Sequence, residues 1–305
     1  MDKIQRDLLE QVAGIHEVPS GAYSLRINGQ LHGKNSSENI VIEKKTDKPG
    51  IDIYIKPGTK NESLHIPVIL SQTGLKELVY NDFHIGEDCD VTIVAGCGIH
   101  NGGAEDSEHS GVHAFYLAKN ARVKYVEKHY GQGDGNGKNI MNPQTYAELE
   151  ENSYLEMETV QIKGVDSTKR STKAILSKNA TLVVSEKIMT HGDQYAETEF
   201  EVELNGEHSG THVVSRSVAR DRSSQKFISR IKGNAECSGH TECDAIIMDD
   251  ATVSAIPEIL AVHPDASLIH EAAIGKIAGE QLIKLMTLGL TEKEAEEEIV
   301  NGFLR

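Results

Sequence analysis

The densest group of side chains that could bind a soft or borderline metal lies between residues 237 and 271. It combines thiols, imidazoles and a carboxylate, which are Cys237, His240, Cys243, His263, His270 and Glu271. Such a mixture of donors suits iron, an iron–sulfur cluster or zinc. Cys243 stands between two carboxylates, Glu242 and Asp244, which would raise the pKa of its thiol. A metal or another cation is therefore needed to activate this cysteine.

A second group of metal ligands has the spacing Cys-x2-His-x8-His-x3-His. Its members are Cys97, His100, His109 and His113. This spacing resembles that of a zinc site. The string His-Ser-Gly-x-His at 109–113 recurs at 208–212, which favours histidines in the turns of a repeated structure instead. Both interpretations stay open.

Apolar and polar residues alternate in short runs from about Tyr23 to about Ile269, as at 200–204. Gly, Asn and Asp interrupt these runs. Alternation with a period of two, broken by turn residues, predicts many short strands.

Helical spacing occurs only at the two ends of the chain. Residues 2–12 predict an amphipathic helix that ends near Gly14. After Gly275 the spacing predicts a helix that stops at Gly289, and the capping box at 291–294 opens a last, acidic helix.

A short turn recurs along the strand-rich stretch, with a polar residue, a small residue, any residue and then usually an apolar one. Its seven copies begin at Asp88, Asn120, Asn152, Asn179, Asn234, Asp250 and Asp265. Spacings close to multiples of about 15 residues are typical of solenoids, in which stacked coils bury a common core. Asn and Asp tolerate the left-handed backbone that such corners need. We therefore predict a β-solenoid, with an up-and-down barrel as the structural alternative.

The repeat also assigns orientations to three possible ligands. The second residue after the small one is expected to face inward, and Cys237 occupies that place, which favours a buried thiol. Cys89 is itself the small corner residue. The same register makes His270 face inward, whereas Cys243 lies at a polar strand start where a ligand and a structural thiol are equally plausible.

Composition excludes several classes of partner. The chain has 305 residues, and 31 Lys and Arg against 47 Asp and Glu give a net charge of −16, which disfavours nucleic acid and anionic membranes. Four cysteines are too few for a disulfide framework. Acids near the N-terminus do not fit a signal peptide, so we expect a cytoplasmic protein. A carbohydrate-binding β-helix is a further alternative, although the 14 Phe and Tyr residues and the lack of Trp count against it.

The last third of the chain resembles the SufB/SufD family, the scaffold subunits of the SUF iron–sulfur assembly system. The resemblance rests on these segments: Thr241-Glu242-Cys243-Asp244, Pro257-Glu258-Ile259, Ser267-Leu268-Ile269-His270-Glu271-Ala272-Ala273-Ile274-Gly275-Lys276 and Val300-Asn301-Gly302-Phe303. Arg170-Ser171-Thr172 followed by Ala174-Ile175-Leu176-Ser177-Lys178 adds a fifth.

The resemblance implies a mainly β protein, a right-handed parallel β-helix with helical ends. We expect an N-terminal helical segment over 1–22, a β-helix core domain over 23–273 and a C-terminal helical segment over 274–305. The last segment would be the docking site of a SufC-like ABC-type ATPase. Dimerisation would use the late strands, with a second copy of the chain or a paralogous subunit.

The family's scaffold cysteine falls on Cys243, and its His-Glu pair falls on His270 and Glu271. A homodimer could place Cys243 and Glu271 of one copy near His270 of the other, forming two equivalent sites. Cys237, His240 and Cys97 are lower-ranked candidates.

The function expected from these residues is that of a non-catalytic scaffold. It would assemble a labile iron–sulfur cluster from iron and a sulfur donor, and hand it to apo-protein acceptors. Nothing in the residues selects the cluster nuclearity, the sulfur donor or a role for reduced flavin. The alternatives are a zinc-binding solenoid that uses Cys97, His100, His109 and His113, and the carbohydrate-binding β-helix.

Overall fold

The computed structural model describes residues 1–15, 17, 19 and 21–304. The helices are α1 (Lys3–Ala13), α2 (Gly279–Thr287) and α3 (Glu292–Phe303). The strands are β1 (Ala22–Ile27), β2 (Gln30–Asn35), β3 (Ile40–Lys44), β4 (Gly50–Ile55), β5 (Lys60–Leu70), β6 (Lys76–Ile85), β7 (Asp90–His100), β8 (Ser107–Leu117), β9 (Arg122–Gln132), β10 (Asn139–Met141), β11 (Gln144–Leu149), β12 (Tyr154–Lys163), β13 (Ser167–Leu176), β14 (Thr181–Thr190), β15 (Tyr195–Leu204), β16 (Ser209–Ala219), β17 (Ser224–Gly233), β18 (Cys237–Ile247), β19 (Thr252–Ala261) and β20 (Ala266–Gly275).

The strands form two sheets that face each other across the core. One sheet has the order β2-β1-β5-β7-β9-β12-β14-β16-β18-β20. The other runs β19-β17-β15-β13-β10-β8-β6-β4-β3, with β11 continuing β10 between β13 and β8. From β4 onward the chain passes from one sheet to the other, so each pair of strands makes one of about eight coils. The strands of neighbouring coils pair in parallel, which confirms the solenoid and excludes the up-and-down barrel.

Alternation along each strand explains the core. In β14 every second side chain is buried, and strands in register place like residues one above another. Val123, Leu155 and Leu182 are such partners on three successive coils, and all three are buried. Burying a side chain of this size contributes about 1.5–3 kcal/mol, but only a stack of coils can bury it.

The predicted corners are confirmed in the first four copies of the repeat. Asp88, Asn120, Asn152 and Asn179 all have φ between 55° and 60°. Their side chains also link the coils: Asn152 Nδ2 donates to Asn120 Oδ1 at 3.0 Å, and Asn179 Nδ2 donates to Asn152 Oδ1 at 2.9 Å. The later corners differ from the prediction. Asn234, Asp250 and Asp265 do not adopt this backbone, and in the sixth copy the left-handed residue is Asp249, one position earlier.

Helices lie at both ends, as the sequence predicts. Helix α1 opens with a capping box between Asp2 and Gln5 and ends at a left-handed Gly14. It buries an apolar face against β1 and β5. At the other end, α3 opens with the Thr291 capping box and packs Val300 against Val218. Within the described ranges, no helix is both long and apolar enough to cross a membrane.

Candidate functional site: thiol, imidazole and carboxylates on the last coils

Strands β18 and β20 hold the residues for which the sequence predicts iron or sulfur chemistry. They pair in parallel with Thr241 opposite His270, Glu242 opposite Glu271, and Cys243 opposite Ala272. Because side chains alternate across a strand, Thr241, Cys243 and His270 face the inside of the solenoid. Glu242 and Glu271 face the outside. The structure therefore brings Cys243 and His270 to one face of the sheet and places Glu271 on the other.

Cys243 is buried, with 1% of its surface exposed. Burial raises the pKa of its thiol to about 12, and the negative charges of Glu186 and Asp244 act in the same direction. The sequence anticipated the effect of the adjacent carboxylate but not the burial. In this conformation the thiol is protonated, so a bound metal or a rearrangement must generate the thiolate.

His270 is partly buried and hydrogen-bonded, in the inward orientation that the repeat predicts. Its Nδ1 lies 2.6 Å from Thr241 Oγ1, and Thr241 in turn lies 3.3 Å from Ser229 Oγ. Burial lowers the pKa of His270, and the neighbouring His240 lowers it further. The imidazole is therefore neutral near pH 7, which is the form that binds a metal, and the hydroxyl of Thr241 orients the ring.

Cys243 and His270 are diagonal neighbours within one chain. Residue positions in that relation are roughly 7–8 Å apart, because one strand spacing and a two-residue offset separate them. The two groups are thus close enough to belong to one site region.

On the outer face, His240, Glu242 and Glu271 converge. One ligand atom from each of the three residues lies within 4.8 Å of the others. His240 Nε2 is 3.3 Å from Glu271 Oε2. The His240 ring also stacks on His212, with centroids 5.0 Å apart and planes 3° apart. A hydrogen bond with Asp244 raises the pKa of Glu242. Glu242 is not among the ligands predicted from the sequence, although its position two residues after His240 in a strand was a usable signal.

The predicted zinc ligands are only partly brought together. Cys97, His109 and His113 line one small cavity with Glu127 and His129. His100 is not among its lining residues. His113 is hydrogen-bonded at both ring nitrogens, by Tyr125 at 2.7 Å and Asn81 at 3.2 Å.

Burial shifts the ionisable groups of this cavity strongly. It lowers the pKa of His113 to about 4 and raises that of Cys97 well above its usual value. In the part of the chain that the structure describes, only the outer trio has three ligand atoms within 4.8 Å of one another. The two His-Ser-Gly-x-His strings are also not equivalent, since His113 is buried and His212 is exposed. The zinc hypothesis stays a prediction.

A column of polar side chains inside the solenoid leads to Cys243. Consecutive coils place Glu127, Thr159, Glu186, Ser215 and Cys243 opposite one another in register. The first four are at least 96% buried. Ser215 Oγ donates to Glu186 Oε2 at 2.8 Å. The column was not predicted from the sequence, because inward-facing positions were expected to hold apolar residues. The acidic residues at the inward-facing positions 127 and 186 could have indicated it.

Arg170, from the opposite sheet, holds the column together. Its Nη1 donates to Glu127 Oε2 at 2.5 Å, and its Nε lies 3.6 Å from Glu186 Oε1. Burial opposes the ionisation of Glu127, but Arg170 and His129 hold its pKa well below the usual range. Burial instead raises the pKa of Glu186. A buried arginine thus compensates the charge of this polar interior.

Fold and site together define a parallel β-solenoid whose final coils carry thiol, imidazole and carboxylate donors suited to iron. The protein-family model for "SUF system FeS cluster assembly, SufBD core domain" matches residues 78–303. The chain belongs to the SufBD family, which confirms the resemblance found in the sequence and associates the protein with iron–sulfur cluster assembly.

Curated relatives agree with this assignment. An iron-sulfur cluster assembly SufBD family protein of Archaeoglobus fulgidus is 31% identical over 265 residues, which are 85% of this chain and 69% of the relative. Its counterpart in Methanocaldococcus jannaschii is 28% identical over 272 residues, 88% of this chain and 85% of the relative. The iron-sulfur cluster assembly protein SufB of Bacillus subtilis is 33% identical over 101 residues, 32% of this chain and 22% of that protein.

Proposed function

We propose that this chain is a non-catalytic scaffold on which a labile iron–sulfur cluster is assembled at a dimer interface and then transferred. Cys243 of one protomer would bind sulfur or iron as a thiolate, and His270 of the other would bind iron through its neutral imidazole. Glu271, which faces the outside of the strand that carries His270, would become the third group only when the last coil rearranges. The observation that supports this most is that the buried thiol and the oriented imidazole share the inner face of the last two coils, next to the end of the solenoid.

That end has the properties of an interface. Strands β19 and β20 are the terminal strands of their two sheets, so each has one edge without a partner in the described chain. The exposed apolar side chains of the last coil are Ile256, Ile259, Leu260, Val262, Ile269 and Ile274. Open edges and apolar patches of this kind are normally covered. A second copy, or a paralogous subunit, seated here would create two equivalent sites about a two-fold axis.

The proposed ATPase partner would act on the C-terminal segment over 274–305. Helix α2 exposes Ile283 and Met286, and Leu288, which follows the helix, is also exposed, so a partner would meet an apolar surface. Helix α3 is tied to the solenoid through Val300. A SufC-like ATPase that binds one conformation better when loaded with ATP would shift the last coil toward an open state and expose Cys243. ATP hydrolysis would occur in that partner and not in this chain.

Weak, mixed ligation suits transfer, since four thiolates would hold a cluster more firmly. The four cysteines are free thiols, which agrees with assembly in the reducing cytoplasm. The sulfur donor and the apo-protein acceptors would bind transiently.

Anaerobic reconstitution with ferrous iron and sulfide tests the proposal. We expect Cys243→Ser to lose the visible absorption of the cluster while keeping its fold. Cys89→Ser is the matched control, because that buried thiol lies at a corner and only donates to the carbonyl of Lys56 at 3.1 Å. Equal cluster content in wild type and Cys243→Ser would remove Cys243 from the site.

A further inference from the structure

The outer face of β18 and β20 carries a second group of ligands that is separated from the thiol by the sheet itself. His240 and Glu242 are two residues apart on β18, and Glu271 lies directly opposite Glu242 on β20. These three side chains point to solvent, whereas Cys243 points into the core. His240 is about one-third exposed and Glu271 about two-thirds, so an ion could reach them without any opening of the solenoid.

The electrostatics of this face favour a cation. Two carboxylates directly opposite each other on neighbouring strands repel. In the described part of the chain neither forms a salt bridge with a lysine or arginine, and the side chain of Glu271 is hydrogen-bonded to His240. Asp244 adds a third carboxylate beside Glu242. Arg216 stands opposite Asp244 in register, two residues along from Glu242, and its positive charge opposes the rise in the pKa of Glu242.

The imidazole of His240 is held in place for binding. Its ring lies parallel to that of His212 on the preceding coil, at a centroid distance of 5.0 Å. A ligand whose ring is already oriented loses less side-chain entropy when it binds a metal.

We propose that His240, Glu242 and Glu271 bind one divalent transition-metal ion on the outer face of the solenoid. One imidazole and two carboxylates are donors that suit ferrous iron, manganese or zinc, and they do not require a thiolate. In this proposal Glu271 belongs to a site where iron can bind before it reaches the thiol of Cys243. The inference does not depend on the proposed scaffold role, because it concerns the binding of the metal alone.

Anaerobic calorimetric titration with Fe²⁺, without sulfide, tests this site in the full chain after treatment with a chelator. We expect one ion per chain. Glu242→Gln and His240→Gln should each raise the Kd at least tenfold, with unchanged circular dichroism because the side chains are at the surface. The matched control is His208→Gln, which alters an exposed pair with Glu236 at 3.7 Å that has no third ligand.

The variants separate this site from the proposed assembly site. Cys243→Ser should bind Fe²⁺ with the wild-type Kd even if it cannot hold a cluster. Unchanged affinity in Glu242→Gln and His240→Gln would overturn the outer site. Loss of Fe²⁺ binding in Cys243→Ser would also overturn it, because the ion would then belong to the thiol site.

Discussion

The thiol of Cys243 should be protected from alkylation in the isolated subunit. The pH dependence of the alkylation rate should show that a raised thiol pKa contributes to this protection. The structure places this thiol in the core, where burial, Glu186 and Asp244 raise its pKa to about 12. The protein is alkylated with iodoacetamide at a series of pH values from 7 to 10. Only the thiolate reacts, so the rate follows its population.

The size of the effect follows from the pKa. Relative to the ordinary value of 9.0, a pKa of about 12 lowers the thiolate fraction at pH 8 roughly 1,000-fold. The intrinsic nucleophilicity of a more basic thiolate recovers a factor of about 20. We therefore expect alkylation at least about 50-fold slower than that of an ordinary exposed cysteine, and burial slows it further.

The assay is quenched alkylation followed by mass spectrometry that resolves Cys243 from the other three cysteines. The rate should rise tenfold per pH unit, without a plateau below pH 10. Glu186→Gln should shift the profile to lower pH because a negative charge near the thiol is removed, whereas the surface variant Glu201→Gln should not. A plateau near pH 9, or a rate like that of a free cysteine, would refute the description of Cys243 as a buried, protonated thiol.

Three further predictions concern the interior and the corners. Arg170→Met leaves buried carboxylates without their cation and should cost about 3–5 kcal/mol in urea unfolding at pH 7. The pKa of Glu127 is depressed in the folded chain, so ionised Glu127 stabilises the fold at neutral pH, and this stabilisation is lost as the pH falls. The difference in unfolding free energy between wild type and Arg170→Met should therefore become smaller below about pH 5. A difference that stays constant down to pH 4 would contradict the role of Arg170. Asn152→Ala should lower the free energy of unfolding by about 1–2 kcal/mol, because alanine is strained in a left-handed backbone and the hydrogen bond to Asn120 is lost. Asn152→Gly should lower it less, because glycine adopts this backbone without strain. Equal melting temperatures of the two variants would count against a left-handed corner at this position. Gly131→Ala would place a Cβ 1.8 Å from the carbonyl oxygen of Gly164 and should cost at least about 2 kcal/mol, so a wild-type melting temperature would show that the two coils are not this close.

Features of the fold that depend on neighbouring residues in the chain were predictable from the sequence. Alternation gave the strands, and it gave the inward orientation of Cys237 and His270, because side-chain direction in a strand depends only on position. The capping box at Thr291 and the glycine at position 14 gave the ends of helices for the same reason.

The polar interior and the outer trio could not be predicted in this way. Arg170 meets Glu127 across 43 positions of sequence, and that pairing depends on how many residues each coil contains. The approach of Glu242 to Glu271 likewise depends on the register between β18 and β20. The spacings of the sequence repeat vary, so the repeat predicts the register between neighbouring strands only approximately. It therefore indicates which residues face inward, but not which residues stand opposite each other on neighbouring strands.

Mixed dimers would show whether Cys243 of one protomer and His270 of the other form one site. Cys243→Ser and His270→Ala chains with different affinity tags can be combined, and the doubly tagged dimer reconstituted with iron and sulfide under anaerobic conditions. One of its two sites then has both groups intact and the other has neither. The mixed dimer should hold about half of the wild-type cluster content, and either homodimer almost none. No recovery in the mixed dimer would contradict it, because the two groups would then have to come from the same chain.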